Sequence, residues 1–179
     1  MMDANEREVY QAAIQGDRDA FEMIIRTHSR ALYAIAYGIL QNREEAEDVV
    51  QDALVKAWKS RWRVRDPEKF PAWLATIARY RGRDVFRKRR PPTLSDVPEE
   101  FSASSDESAN QELDRQVHSA LAGLPELHRT ALMLRYFEAM DYRTIENTLG
   151  LTNGALRGIL GRALALMRKQ LRPALAPID

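Results

Sequence analysis

The cationic side chains of Arg79, Arg83, Arg87, Lys88, Arg89 and Arg90 crowd the second half of the stretch FPAWLATIARYRGRDVFRKRR, residues 70–90. Residues of this type and spacing act electrostatically. Each Lys or Arg that neutralises a phosphate releases condensed counterions, so a dense cationic stripe favours nucleic acid. On charge alone, a solvated basic face is the competing reading. The same stretch carries Phe70, Trp73, Leu74, Ile77, Ala78 and Val85 at helical spacing, so one side packs while the other stays available. No constellation for covalent catalysis accompanies it. There is no nucleophile–base pattern or phosphate-cradling glycine loop, the chain has no cysteine, and the three histidines His28, His118 and His128 lack ligand spacing. The expectation is no enzyme, no metal and no cofactor.

The elements that must position this stripe are helical. Ala, Leu, Glu and Arg dominate every periodic segment and β-branched alternation is absent, which predicts an all-α chain. A first helix carries Val9, Tyr10, Ala13 and Ile14 and stops near Gly16, where Asp17 can cap a long second helix. The second buries Phe21, Ile24, Ile25, His28 or Leu32, Ile35, Ala36 and Ile39. A third starts from Asn42 with Glu45 in capping-box spacing and presents Val49, Val50, Ala53, Leu54, Ala57 and Trp58. A polar turn over 60–69 then leads into the basic helix, and four helices of these lengths can close one core.

At 179 residues, with 45% apolar and 30% charged residues, the chain fits two small globular domains. No apolar run is long enough to cross a bilayer, and the acidic N-terminus lacks the order of a signal peptide. Together with the absence of cysteine, this predicts a cytoplasmic protein with no membrane insertion. The net charge of +1 averages the basic stretch over 79–90 against an acidic one over 96–114. Residues 91–112, rich in Pro, Ser, Asp and Glu, bury too little apolar surface to repay ordering and read as a flexible acidic linker. Beyond it, helices are predicted over 113–124, 125–137, 142–149 and 153–171. Asp141 and Thr152 are placed as caps and Gly150 as a left-handed stop. A helix, a short Gly-containing turn and a second helix over 142–167 is the sequence form of a helix-turn-helix, although αα-hairpins share it.

Read together, AEDVVQDALVKAW (46–58), the basic stretch, and LAGLPELHRTALMLRYFEAMDYRTIENTLGLTNGALRGILGRALALMRKQL (121–171) closely resemble bacterial sigma factors of the sigma-70 superfamily. The resemblance is to the short extracytoplasmic-function type, which keeps only regions 2 and 4. It implies region 2 over 1–90, the linker over 91–112, a region 4 helix-turn-helix over 113–173 and a tail over 174–179. It also implies a specificity subunit whose partners are core RNA polymerase, promoter DNA and an anti-sigma factor, with region 2 reading the minus-ten element and region 4 the minus-thirty-five element. Asp48, Gln51 and Asp52 fall where the family contacts the polymerase clamp helices, as one polar stripe opposite Val49, Val50 and Leu54. The loop over 61–69 is similar to the family's specificity loop, which receives a flipped base, with Arg61, Trp62, Arg63, Arg65 and Lys69 as candidate contacts. Trp62 fits either a base-stacking platform or a lid on the core, while Trp58 and Trp73 fit the core. In region 4, Asn153, Gly154, Arg157 and Arg162 occupy the exposed start and flank of the recognition helix, with Arg157 suited to a guanine or a phosphate.

The chain also departs from the family pattern. Thr144 and Glu146 replace a reciprocal cap and a small packing residue, Tyr80 stands where Asn is common, and Ile159 stands at a usually basic position between Gly158 and Gly161. Two roles for Ile159 remain open here, contact with a thymine methyl or membership of a protein-binding surface. A linker of about 20 residues spans roughly 25 Å as a coil, while promoter elements one and a half turns apart lie roughly 50 Å from each other. Isolated, the chain is therefore expected to bind promoters weakly. A stand-alone helix-turn-helix regulator and a protein-binding sigma decoy are the alternatives.

Overall fold

A computed structural model describes residues 4–88 and 109–171 of the chain, and every regular element among them is helical. The linker up to residue 108, the tail 174–179 and the candidates Arg89 and Arg90 lie outside the described residues. In chain order the helices are α1 (Ala4–Gln15), α2 (Arg18–Leu40), α3 (Arg43–Ser60), α4 (Phe70–Lys88), α5 (Ala109–Ala122), α6 (Glu126–Leu132), α7 (Tyr142–Leu149) and α8 (Asn153–Leu171). Helix α5 starts four residues ahead of the boundary read at Leu113, because Ala109 to Glu112 continue the helix without adding a large apolar residue to mark it.

Local chemistry sets the helix ends. Asp17 accepts from the Ala20 amide at 2.9 Å, Asn42 from Glu45 at 2.9 Å and Asp141 from Thr144 at 2.9 Å, each satisfying a donor that the first turn leaves without a partner. Gly150 ends α7 at φ 66°, with its amide bonded to Glu146 O. Thr144 also donates its hydroxyl to Asp141 Oδ2 at 2.7 Å, so the cap expected to be weakened there is made another way.

Helices α1–α4 enclose one core, with Phe70, Ile24, Leu32, Ile35, Leu40, Leu74 and Val49 at its centre. Both His28 and Leu32 are buried, where the periodicity offered one or the other. Trp58 packs edge-on against Phe21 and Trp73 against Phe70, as expected for core tryptophans. Helices α5–α8 build a second core on Leu134, Ile145, Leu156 and Leu160. The two units are packed together: α2 contacts α6 and the five-residue π turn Met133–Phe137 that extends it, while α4 contacts α7.

Candidate nucleic-acid interface

Helix α4 divides as its pattern requires. Phe70, Leu74, Ala75, Ile77 and Ala78 are buried, while Tyr80, Arg83, Phe86, Arg87 and Lys88 are exposed. Arg79 is half-buried, and burial pushes its guanidinium pKa below the ordinary value. Arg83 makes a bidentate pair with Glu126 of α6, Nε to Oε2 at 3.1 Å and Nη2 to Oε1 at 3.0 Å, and Arg87 pairs with Asp84. Phe86 was not among the sequence candidates, yet it is exposed, three residues on from Arg83 and so on the same side of the helix. Its signal was a large aromatic outside the apolar stripe, the residue type that stacks on bases.

The loop between α3 and α4 is two 3₁₀ turns, Arg61–Arg63 and Pro67–Lys69, anchored from beneath by buried Val64, Pro67 and Phe70. Asp66 accepts from the Glu68 amide at 3.1 Å and fixes the second turn. Trp62 is 66% exposed, which removes the core-lid reading, and the Arg63 guanidinium lies over its ring, 5.2 Å from the ring centre. Arg65 and Lys69 are also exposed. Arg61 is half-buried and turned inward. Its guanidinium stacks 4.0 Å from the Trp58 ring centre and donates to Trp58 O at 2.6 Å, so cation–π attraction and a carbonyl hold it inward.

On α3, Asp48, Gln51 and Asp52 are all exposed. Asp52 pairs with Arg81 of α4 at 3.2 Å. The stripe is not set wholly against the apolar residues, however. Val50, Gln51 and Leu54 line one groove of about 430 Å³ between α2 and α3, closed on one side by Glu138. Residues three and four apart share a helix face, so 47, 50, 51 and 54 form one amphipathic strip.

In the second unit, Asn153, Gly154, Arg157 and Arg162 are exposed on α8. Asn153 Nδ2 donates to Glu146 Oε1 at 2.5 Å, so the charge that looked misplaced in a packing position instead holds the first residue of α8. Arg157 sits 5.8 Å from the Tyr142 ring centre and Arg135 5.3 Å from it, two guanidinium groups sharing one aromatic ring. Ile159 corrects the sequence reading. At 6% exposure it belongs to the core with Leu156, Leu160 and Ala163, and neither a thymine methyl nor a partner surface can reach it without disrupting that core.

Most candidate residues therefore form exposed cationic and aromatic surfaces on both units, which suit phosphate contact, base stacking and groove reading. Among the described residues no group of His, Cys, Asp or Glu is placed to hold a metal, and no helix is long and apolar enough to cross a membrane. Two family models match the chain, Sigma-70 region 2 over residues 24–91 and Sigma-70 region 4 over 114–167. The RNA polymerase sigma-H factor of Pseudomonas aeruginosa is 30% identical over 185 residues, covering 95% of each chain. The ECF RNA polymerase sigma factor SigW of Bacillus subtilis is 27% identical over 172 residues, covering 88% of this chain and 92% of that one. Among solved structures, CnrH in complex with the cytosolic domain of CnrY superposes with a TM-score of 0.66 at 28% identity, covering 96% of this chain and 99% of that chain.

Proposed function

This chain belongs to the sigma-70 family, and from that membership we propose that it is an extracytoplasmic-function sigma factor, directing core RNA polymerase to promoters and assisting their melting. The observation that carries the reading is the ordered pair of region matches across 24–91 and 114–167, with a cationic helix in the first and a recognition helix in the second. A stand-alone helix-turn-helix regulator leaves the region 2 match without a role, and the buried Ile159 removes one of the departures that favoured a decoy. Polymerase supplies the bond-making chemistry, and this chain supplies recognition in the compartment where polymerase works, the cytoplasm.

In this reading Asp48, Gln51 and Asp52 meet the polymerase clamp, and the apolar floor beside Gln51 adds area to that contact. Trp62 stacks on an unpaired base, offsetting part of the few kcal/mol that extrusion costs. Arg63, Arg65, Lys69, Arg79, Arg83, Arg87 and Lys88 hold phosphates and so set affinity and register, and Arg89 and Arg90 extend that set. Asn153, Gly154, Arg157 and Arg162 approach the minus-thirty-five element, with Arg157 able to engage guanine through two acceptors. An anti-sigma factor is the expected inhibitory partner, in keeping with the solved relative that carries a bound protein domain.

Co-elution with core polymerase lacking its own specificity subunit tests the assignment. The intact chain is expected to bind saturably, and Gln51→Ala with Asp52→Ala to weaken binding by about ten-fold. The Asp52–Arg81 pair is exposed, so its loss leaves the fold intact, which circular dichroism checks. An intact, uninhibited chain that fails to co-elute would refute the assignment.

A further inference from the structure

Arg61 opens the first turn of the loop that carries Trp62 and Arg63, yet its side chain is turned to the body of region 2. Its guanidinium lies 4.0 Å from the Trp58 ring centre, donates from Nη1 to Trp58 O at 2.6 Å and rests Nη2 against Gly16, where a β-carbon would stand 2.7 Å away. Gly16 makes the turn between α1 and α2 at φ 104°, with its amide on Ala13 O at 3.1 Å and that of Asp17 on Ala12 O at 3.0 Å. Glycine serves twice there: it adopts a positive φ, and its bare backbone leaves the notch that the guanidinium fills. Phe21 packs edge-on against Trp58 at 5.0 Å, so Arg61 ties the α1–α2 turn to the end of α3 over a ring that the core itself holds. The Arg61 Nε is buried without a hydrogen-bond partner. An arginine reaching into water keeps every donor solvated, so the ring, the carbonyl and the notch together outweigh that loss. The Arg61 carbonyl accepts from the Val64 amide at 3.0 Å, and Val64 is buried, so the turn is pinned at both ends with Trp62 and Arg63 exposed between them. Helix α1 packs on both turns of the loop, and its Arg7 reaches Glu68 at 4.0 Å.

We propose that Arg61 is a positioning residue for base recognition rather than a DNA contact: locked between Gly16 and Trp58, it holds the loop in the posture in which Trp62 stacks on an unpaired base. The proposal rests on the sigma-factor reading for the role of Trp62. The physical gain is preorganisation. A side chain ordered only on binding lowers affinity by the freedom it loses, whereas a turn already fixed by the fold does not. The loop's cations then divide by role: Arg63, Arg65 and Lys69 present charge to phosphate, and Arg61 commits its charge to a ring and a carbonyl.

Labelled single-stranded DNA of mixed sequence is titrated by anisotropy over a range of salt with the full chain and its Arg61→Ala, Trp62→Ala and doubly substituted forms, each checked for folding by circular dichroism. Arg61→Ala is expected to weaken binding about five-fold, the cost of ordering one side chain on binding, but less than about two-fold once Trp62 is already Ala. The dependence of log affinity on log salt should be unchanged, whereas Arg65→Ala should lower its slope by about 0.7, the loss of one phosphate contact on a single strand. Arg61→Lys keeps the charge without the flat fork and should bind within about two-fold of Arg61→Ala. An equal cost with and without Trp62, a slope that falls as for Arg65→Ala, or full recovery by Lys overturns the proposal. Gly16→Ala leaves every candidate contact in place and drives a methyl into the notch, so it decides the question even if Arg61→Ala does not fold. It should weaken binding about three- to five-fold at an unchanged slope, because the displaced guanidinium releases the loop. A displaced Arg61 that served as a contact would hold or tighten binding, and that result overturns the proposal too. Core polymerase co-elution is measured beside the titrations. The expected coupling of Arg61 to Trp62 without co-elution of the intact chain supports the positioned loop and refutes the sigma-factor reading. Co-elution with no such coupling does the reverse.

Discussion

Acidification should destabilise region 2 through one buried imidazole. His28 is 7% exposed on α2, and Tyr10 of α1 meets its Nε2 at 2.5 Å. Burial, reinforced by Glu6, raises the Tyr10 pKa, so the phenol keeps its proton and donates, and the imidazole accepts in its neutral form. Burial lowers the His28 pKa from 6.5 to about 4. Because the folded pKa lies below the unfolded one, only the unfolded chain takes up this proton between about pH 6.5 and 4, and stability falls as pH falls through that window. At about pH 4.5 nearly all unfolded chains but only a minority of folded ones carry the proton, a loss of roughly 2–3 kcal/mol relative to pH 7.5. Trp58, Trp62 and Trp73 all lie in region 2, so urea unfolding followed by tryptophan emission reports on this unit. His28→Gln keeps an acceptor for Tyr10 but cannot titrate. Its stability should fall about 2 kcal/mol less than that of the native chain over the same interval, with the carboxylate contributions common to both. Equal losses, within about 0.5 kcal/mol, would refute the reasoning.

Two further outcomes test the loop and the turns of region 4. Trp62→Ala should leave the unfolding midpoint unchanged, because the side chain is 66% exposed, yet weaken binding of labelled single-stranded DNA by about 1–2 kcal/mol in anisotropy titrations; unchanged affinity would remove Trp62 from base contact. Ala139 and Gly150 are both left-handed, at φ 51° and 66°, and should respond oppositely in thermal melts followed by circular dichroism. Ala139→Gly relieves a β-carbon clash and should stabilise region 4 by about 0.5–1 kcal/mol, whereas Gly150→Ala, with open space around the new methyl, should cost about 1 kcal/mol from backbone strain alone.

Features whose causes lie within a few residues were legible in the sequence. Asp17, Asn42 and Asp141 each accept from an amide three residues ahead, and such a bond forms wherever the helix does. The cationic face of α4 and the αL stop at Gly150 follow from residue type and period in the same way. For Ile159 the periodic signal was present, since 156, 159, 160 and 163 recur at helical spacing, but the position's usual character in related helices drew the reading towards an exposed role. The inward turn of Arg61 was hidden for a different reason: its charge is apparent in the sequence, while its partner, the face of Trp58, appears only once the chain turns back at the end of α3.

The sequence alone determined the helices, their caps, the division into two units and the family, because those rest on local hydrogen bonds and on apolar periodicity. Only the tertiary structure decided which exposed-looking groups are engaged. Arg83 and Glu126 are separated by 43 residues, and their pairing depends on how α6 seats against Ala31, Ala34 and Gly38. Small side chains mark a face where another backbone can approach closely, but they carry no shape or charge to specify which one; that choice is made by the packing of the whole chain.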